Sequence, residues 1–242
     1  MKKRVLAIGH SHLGALEFFL RSKQEFSEFE LEIVQLLSSE YADIEQDSDG
    51  RTARTLRQKD ENCDLVVLAI SGNEHQMMGL VNHPRPFDFV LPERPDLPLQ
   101  KDREIVPFEL IRDTLESWMK PDLFRKMSEL LTRPMFQLEP PPPVLDEEHI
   151  RNHAGIFREK IDKFGVNHPA IRFKLWRVSS NLIASYCAKF GIEFLPVPAE
   201  AVGPEGFLHY MALCPDPTHA NGWYGALVVH QLRELLDRRK NA

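Results

Sequence analysis

Arg4-Val5-Leu6-Ala7-Ile8-Gly9-His10-Ser11-His12 is the stretch that decides how this chain folds. Val5 to Ile8 are all apolar, so Arg4 to Ile8 reads as a short strand buried on both faces, as in a parallel sheet. Leu13 to Leu20 then carries apolar residues at helical spacing. Outward from there, Leu31 to Leu37 reads as a second strand, with Gly50 closing the polar loop after it. Arg51 to Lys59 reads as a helix, and Asp64 to Ile70 (Asp-Leu-Val-Val-Leu-Ala-Ile) is the clearest strand in the chain. Strand, helix, strand, helix, strand before residue 71 predicts right-handed βαβ units and a parallel sheet.

The middle of the chain changes character. Residues 84–143 hold most of the 18 prolines, including Pro84-Arg85-Pro86 and the run Pro140 to Pro143. Helices are expected over Phe108 to Lys120 and Asp122 to Thr132, with Pro121 placed to open the second, and a fourth strand over Met135 to Leu138. The region reads as an elaboration on one domain spanning 1–242, either a solvated, proline-stiffened connection or a cap that shapes a site. Two helices should follow, Glu147 to Phe164 before Gly165 and Ala170 to Phe190 between Pro169 and Gly191. Ile192 to Val197 is the last expected strand, and Gly222 to Arg239 an amphipathic C-terminal helix.

With 242 residues, the chain suffices for one full α/β domain and is short for two. The net charge of −6 disfavours a nucleic-acid or anionic-membrane partner, either of which needs a basic surface. The three cysteines, Cys63, Cys187 and Cys214, are odd in number and contain no CxxC pair. That argues against a disulfide framework or zinc ribbon and for a reducing compartment. The apolar run after Lys2-Lys3-Arg4 stops at Gly9, short of the about 7–15 residues of a signal-peptide core. No stretch approaches the about 20 apolar residues of a membrane span. The expectation is a cytoplasmic protein.

Ligands of open parallel sheets bind beyond the carboxyl ends of the strands. Ser11 follows the first strand, Gly50 the second and Asn73 the third, while Asp216-Pro217-Thr218-His219 follows the last. The polar groups capable of chemistry therefore fall on one edge. Ser11 is the candidate nucleophile, His219 the base that takes its proton, and Asp216 the carboxylate that orients the imidazole. Backbone N–H groups at Ser11 and Gly50 and the Asn73 side-chain amide are candidate donors to a developing oxyanion.

These blocks, Gly9-His10-Ser11, the Gly50 loop, Ser71-Gly72-Asn73-Glu74 and Asp216 to His219, resemble those of the SGNH/GDSL hydrolase family over most of the chain. The resemblance implies a flavodoxin-like three-layer α/β/α sandwich, with a five-stranded parallel sheet and a Pro-rich helical insertion. It also implies a Ser–His–Asp triad and ester hydrolysis or acyl transfer through an acyl-enzyme, with no metal and no cofactor. The expected substrate is a small-molecule or carbohydrate ester, and the alternatives are an O-acyltransferase or a non-catalytic binding module on the same fold. Two positions depart from the family pattern: His10 stands where an Asp is usual before the serine, and Glu74 where an Asp is usual after the asparagine. His10, His12 and His75 are candidate pocket residues and only faintly resemble a metal set, since the acid and histidine order is wrong for metallophosphoesterases. Phe87, Phe89, Trp118 and Trp176 are weaker candidates for a substrate wall, and Arg85, Arg172 and Arg177 for an anion grip. His209 and His230 read as ordinary core or surface histidines, and Met77-Met78 as helix packing.

Overall fold

The computed structural model of the chain describes residues 2–22, 28–36, 44 and 50–239. β1 (Arg4–Gly9) passes through a 3₁₀ turn at Ser11–Leu13 into α1 (Gly14–Ser22). β2 (Glu30–Gln35), α2 (Arg51–Glu61), β3 (Leu65–Ala69) and α3 (Glu74–Gly79) follow. Residue 37, the expected end of the second strand, lies outside the described residues, as does most of the loop before Gly50. β4 (Phe87–Asp88) and β5 (Glu104–Ile105) form a separate small parallel pair. Then come α4 (Phe108–Trp118), α5 (Pro121–Leu130) and β6 (Met135–Leu138). α6 (Glu147–Asn152), α7 (Arg158–Phe164), α8 (Pro169–Phe190), β7 (Glu193–Leu195) and α9 (Gly222–Arg238) complete the order.

The main sheet has five strands in the order β2-β1-β3-β6-β7, every neighbouring pair parallel. This is a doubly wound α/β sandwich, and the carboxyl ends of its strands share one edge. Alternation along the strands divides the core. Val5, Ala7, Leu65 and Val67 face a layer containing α1 and α9, while Leu6, Ile8, Val66 and Leu68 face α4, α5 and α8. Both strand faces are buried, so β1 and β3 show no polar alternation, which is why they read as continuous apolar runs. α1 and α9 approach so closely that a Cβ on Gly225 would lie 2.0 Å from the Ala15 carbonyl oxygen.

Three expectations change. Residues 147–164 are not one helix: α6 ends at Asn152, a 3₁₀ turn occupies Gly155–Phe157, and α7 resumes at Arg158. Gly155 takes a positive φ of 52° there, a conformation that breaks helical propagation at little cost only without a Cβ. α3 contains Met77-Met78, read from the sequence as helix packing, but its bounds were not expected because six residues are too few to display a period. The last strand is shorter than Ile192 to Val197, three residues at the sheet edge.

The proline run is buried rather than solvated: Pro140 to Pro143 all lie in the interior, and the Trp176 indole N–H donates to the Pro140 carbonyl at 3.0 Å. Proline donates no backbone hydrogen bond, so burying four in a row leaves no amide N–H to satisfy. Residues 84–107 are pinned by a wholly buried ion pair, Lys174 Nζ to Asp88 Oδ1 at 2.9 Å. Lys174 also donates to the Phe89 and Pro98 carbonyls, and Asp88 accepts from the Phe89 and Gln100 amides.

Candidate active site

β1 delivers Ser11 to the carboxyl edge in a 3₁₀ turn closed by Leu13 N–H to the His10 carbonyl at 3.0 Å. Ser11 Oγ lies 2.8 Å from His219 Nε2 although 208 residues separate them. His219 Nδ1 lies 3.1 Å from both Asp216 carboxylate oxygens. A carboxylate only accepts, so Nδ1 carries the proton and Nε2 is left with a lone pair facing the Ser11 hydroxyl. Asp216 also accepts from the backbone amides of Thr218 at 2.7 Å and His219 at 2.8 Å, which folds the four-residue turn. Burial alone would raise the Asp216 carboxyl, but hydrogen bonds from the His219 ring and the Thr218 amide outweigh it. The group is held well below the usual carboxylate range.

Asn73 Nδ2 approaches Ser11 Oγ at 3.5 Å, the long limit for a hydrogen bond. Its loop is braced by Glu74, whose carboxylate accepts from Ser71 Oγ at 2.7 Å and the Gly72 amide at 2.9 Å. The longer side chain at position 74 thus folds back over its own loop. Gly72 has φ +131°, and a Cβ there would sit 2.7 Å from Pro140 Cβ and 3.3 Å from His12 Nε2. Only glycine fits both the angle and the space. Gly50 opens α2, and its carbonyl accepts from the Arg54 amide at 3.2 Å.

One positioning contact was not legible in the sequence: Gln76, on α3, donates to the Thr218 carbonyl at 3.2 Å. Gln76 is 5% exposed, so this bond joins the Asn73 loop to the His219 turn away from water. No local motif marks it, because the partners are 142 residues apart.

His10 is half-buried at the start of the Ser11 turn, and its amide donates to Ala69 O at 2.9 Å. His75 is buried and His12 half-buried with its ring nitrogens enclosed, the His12 ring centroid lying 5.5 Å from that of His219. Neither ring of the two makes a hydrogen bond of good geometry. Burial pulls His12 down to about 4 and His75 to about 3, and the Gly72 backbone opposes this only in part. Both are therefore neutral near pH 7. Stability attached to such a group is fully present above the unfolded value of 6.5 and falls as the pH drops toward the folded value. His75→Leu should accordingly flatten the acid loss of stability by about 1.4 kcal/mol per pH unit below pH 6.5. Urea unfolding at pH 7, 6 and 5 measures this, and an unchanged slope would contradict a neutral buried His75.

The other candidates separate by burial. Phe89 and Trp176 are core residues, Trp118 is 48% exposed on α4, and Phe87 packs at the edge of the core. Arg172 is buried, and its guanidinium donates to the carbonyls of Val144, Leu145 and Asn167, so no anion is needed to satisfy it. Arg177 pairs with Glu93, and Arg85 is exposed. Burial pushes the Cys63 and Cys187 thiols up to about 12 and Cys214 to about 11, leaving little thiolate for nucleophilic chemistry. Among the described residues, no three metal-ligating side chains converge on one point.

Solved structures that superpose on this chain over nearly its full length include proteins described as SGNH and GDSL-family hydrolases. A protein of Slackia heliotrinireducens described as an SGNH hydrolase superposes with a TM-score of 0.52 at 13% identity, covering 97% of this chain and 98% of its own. A GDSL-like lipase from Bacteroides thetaiotaomicron gives a TM-score of 0.45 at 13% identity, covering 97% and 89%. Phospholipase A1 from Streptomyces albidoflavus gives 0.46 at 9% identity, covering 96% and 100%. No protein-family profile matches the chain, and no curated protein does. The chain has the SGNH-hydrolase fold. Among the described residues, no helix is long and apolar enough to cross a membrane.

Proposed function

We propose that this protein is a serine-dependent esterase or deacylase that acts through an acyl-enzyme on a small acylated metabolite or sugar. The observation that carries the reading is the line Ser11 Oγ, His219 Nε2, His219 Nδ1, Asp216, joined by contacts of 2.8 and 3.1 Å. His219 takes the Ser11 proton as Oγ attacks the ester carbonyl, then gives it to the departing alcohol oxygen. Water, deprotonated by the same nitrogen, attacks the acyl-enzyme, and the proton returns to Ser11 as the acid leaves. Asp216 stays ionised and stabilises the imidazolium formed in both halves. The Asn73 amide, with the backbone N–H groups of Ser11 and Gly50, receives the developing oxyanion. The buried, unpaired thiols favour a reducing, cytoplasmic setting.

Intact-mass analysis after treatment with a small fluorophosphonate tests the reading. One adduct per chain on the wild type, absent from Ser11→Ala, is the expected result. A folded wild type that takes up no adduct would overturn it. Asn73→Ala should lower kcat about 10²–10³-fold on p-nitrophenyl acetate with little change in KM, as expected for a donor aimed at the transition state. A loss confined to KM would remove Asn73 from that role.

A further inference from the structure

A cavity of about 450 Å³, within the about 300–1,000 Å³ typical of small-molecule sites, is lined in part by the segment that leads into the triad turn. It is built from Val144–Asp146 after β6 and from residues 203–213 after β7. Both segments leave the carboxyl ends of parallel strands, so they share the sheet edge with Ser11, Asn73 and His219. The far wall is tied directly to the triad turn. Leu213 pairs with Ala220, and Asn221, two residues past His219, donates from Nδ2 to the Met211 and Leu213 carbonyls at 2.8 and 2.9 Å. Buried Arg172 holds the near wall by donating to the Val144 and Leu145 carbonyls. Leu208 N–H to the Pro143 carbonyl at 3.0 Å joins the two walls.

The lining is chemically one-sided. Val144, Leu145, Phe207, Leu208, Tyr210 and Leu213 present hydrocarbon and aromatic surface. Among the described residues no Lys or Arg side chain lines the cavity; Asp146 and Glu205 are acidic, and His209 also lines it, with Nδ1 accepting from the Met211 amide at 3.3 Å. Asp146 is already occupied in capping α6, accepting from the Glu148 and His149 amides. A carboxylate or phosphate would face two carboxylates there, and the Arg172 guanidinium behind the wall is already taken up by backbone carbonyls, whereas an uncharged alkyl or aryl group would be desolvated against matching walls. Leu145 at 38% exposure and Tyr210 at 73% stand at the rim, more open than a core residue of their kind needs to be.

Resting on the esterase reading, we infer that this cavity is the subsite for an uncharged apolar or aromatic group of the ester and selects against anionic substrates. The walls suit a chain on either side of the scissile bond, so the test varies each side separately. The acyl arm is the series p-nitrophenyl acetate, butyrate and hexanoate; the alcohol arm is methyl, butyl and hexyl acetate. In one arm kcat/KM should rise about fourfold per methylene until the cavity is full, the equivalent of about 0.8 kcal/mol each. Leu145→Trp, which fills the cavity from its rim, should flatten that rise. Tyr210→Ala, at an exposed position, should weaken it with no loss of fold. A flat series in both arms, or a rise untouched by both folded variants, would overturn the subsite. Calorimetric titration of hexyl acetate into Ser11→Ala provides a readout without turnover. Binding that Leu145→Trp abolishes upholds the cavity even if the serine takes up no fluorophosphonate. No binding, in a protein whose serine is labelled, rejects the cavity alone.

Discussion

Replacing Ser11 with Ala is expected to lower kcat by about 10³-fold or more, some 4 kcal/mol of transition-state stabilisation, with the fold intact. The side chain is a half-buried hydroxyl in a turn held by backbone bonds, so its removal leaves no cavity in the core. What disappears is the hydroxyl oxygen that lies 2.8 Å from His219 Nε2. His219→Ala should cost a comparable factor, and the double variant little more, because nucleophile and base act as one unit. Asp216→Asn turns one of the two acceptor oxygens facing His219 Nδ1 into an amide donor and removes the charge, so the imidazole tautomer is no longer fixed, and it weakens a turn built on two backbone bonds to the same oxygen. Steady-state rates on p-nitrophenyl acetate, with circular dichroism to verify folding, measure all four. Additive losses in the double variant would contradict a shared mechanism.

Lys174→Met should destabilise the fold by about 3–5 kcal/mol. Both side chains of the Lys174–Asp88 pair are fully buried. Removing the ammonium strands a carboxylate where water cannot reach it, and frees the Phe89 and Pro98 carbonyls as well. Adding Asp88→Asn should recover part of the loss by removing the stranded charge, since the amide oxygen can still accept from the Phe89 or Gln100 amide. Urea unfolding of the two variants measures both effects. A loss below 1 kcal/mol for Lys174→Met would mean that the pair does not hold residues 84–107 to α8.

The β1 and β3 strands, the helix openings at Pro121 and Pro169 and the strand at Met135–Leu138 were legible because their causes are local. A fully buried strand must be apolar throughout, and proline restricts φ wherever it stands. The order of the chemical blocks was legible for a related reason. In a parallel sheet each strand end lies on the same edge, so loop residues after successive strands are brought together by topology alone. The break inside residues 147–164 was not legible, because its helical periodicity continues across Gly155 and only the backbone angle reveals the turn. The same holds for the aromatic residues first considered for a substrate wall: side chains of one type become core or cavity according to what packs on them. Trp176 is covered and hydrogen-bonded to Pro140, while Phe207 and Tyr210 line open space.

By itself, then, the sequence determined the layer architecture, the sheet edge that carries the chemistry and the identities of Ser11, Asn73, Asp216 and His219 as candidates. These follow from periodicity, from backbone restrictions and from the short range of the Asp216 to His219 turn. Only the tertiary structure decided that Ser11 and His219 stand 2.8 Å apart, that Gln76 ties the two site loops, and that Lys174 neutralises Asp88 in the interior. It also decided that His75 is buried, that the ring nitrogens of half-buried His12 are enclosed, and that the cavity walls come from residues 144–146 and 203–213. Each of these depends on contacts between residues far apart in the chain, whose distances are set by the packing of whole helices on the sheet and leave no local pattern.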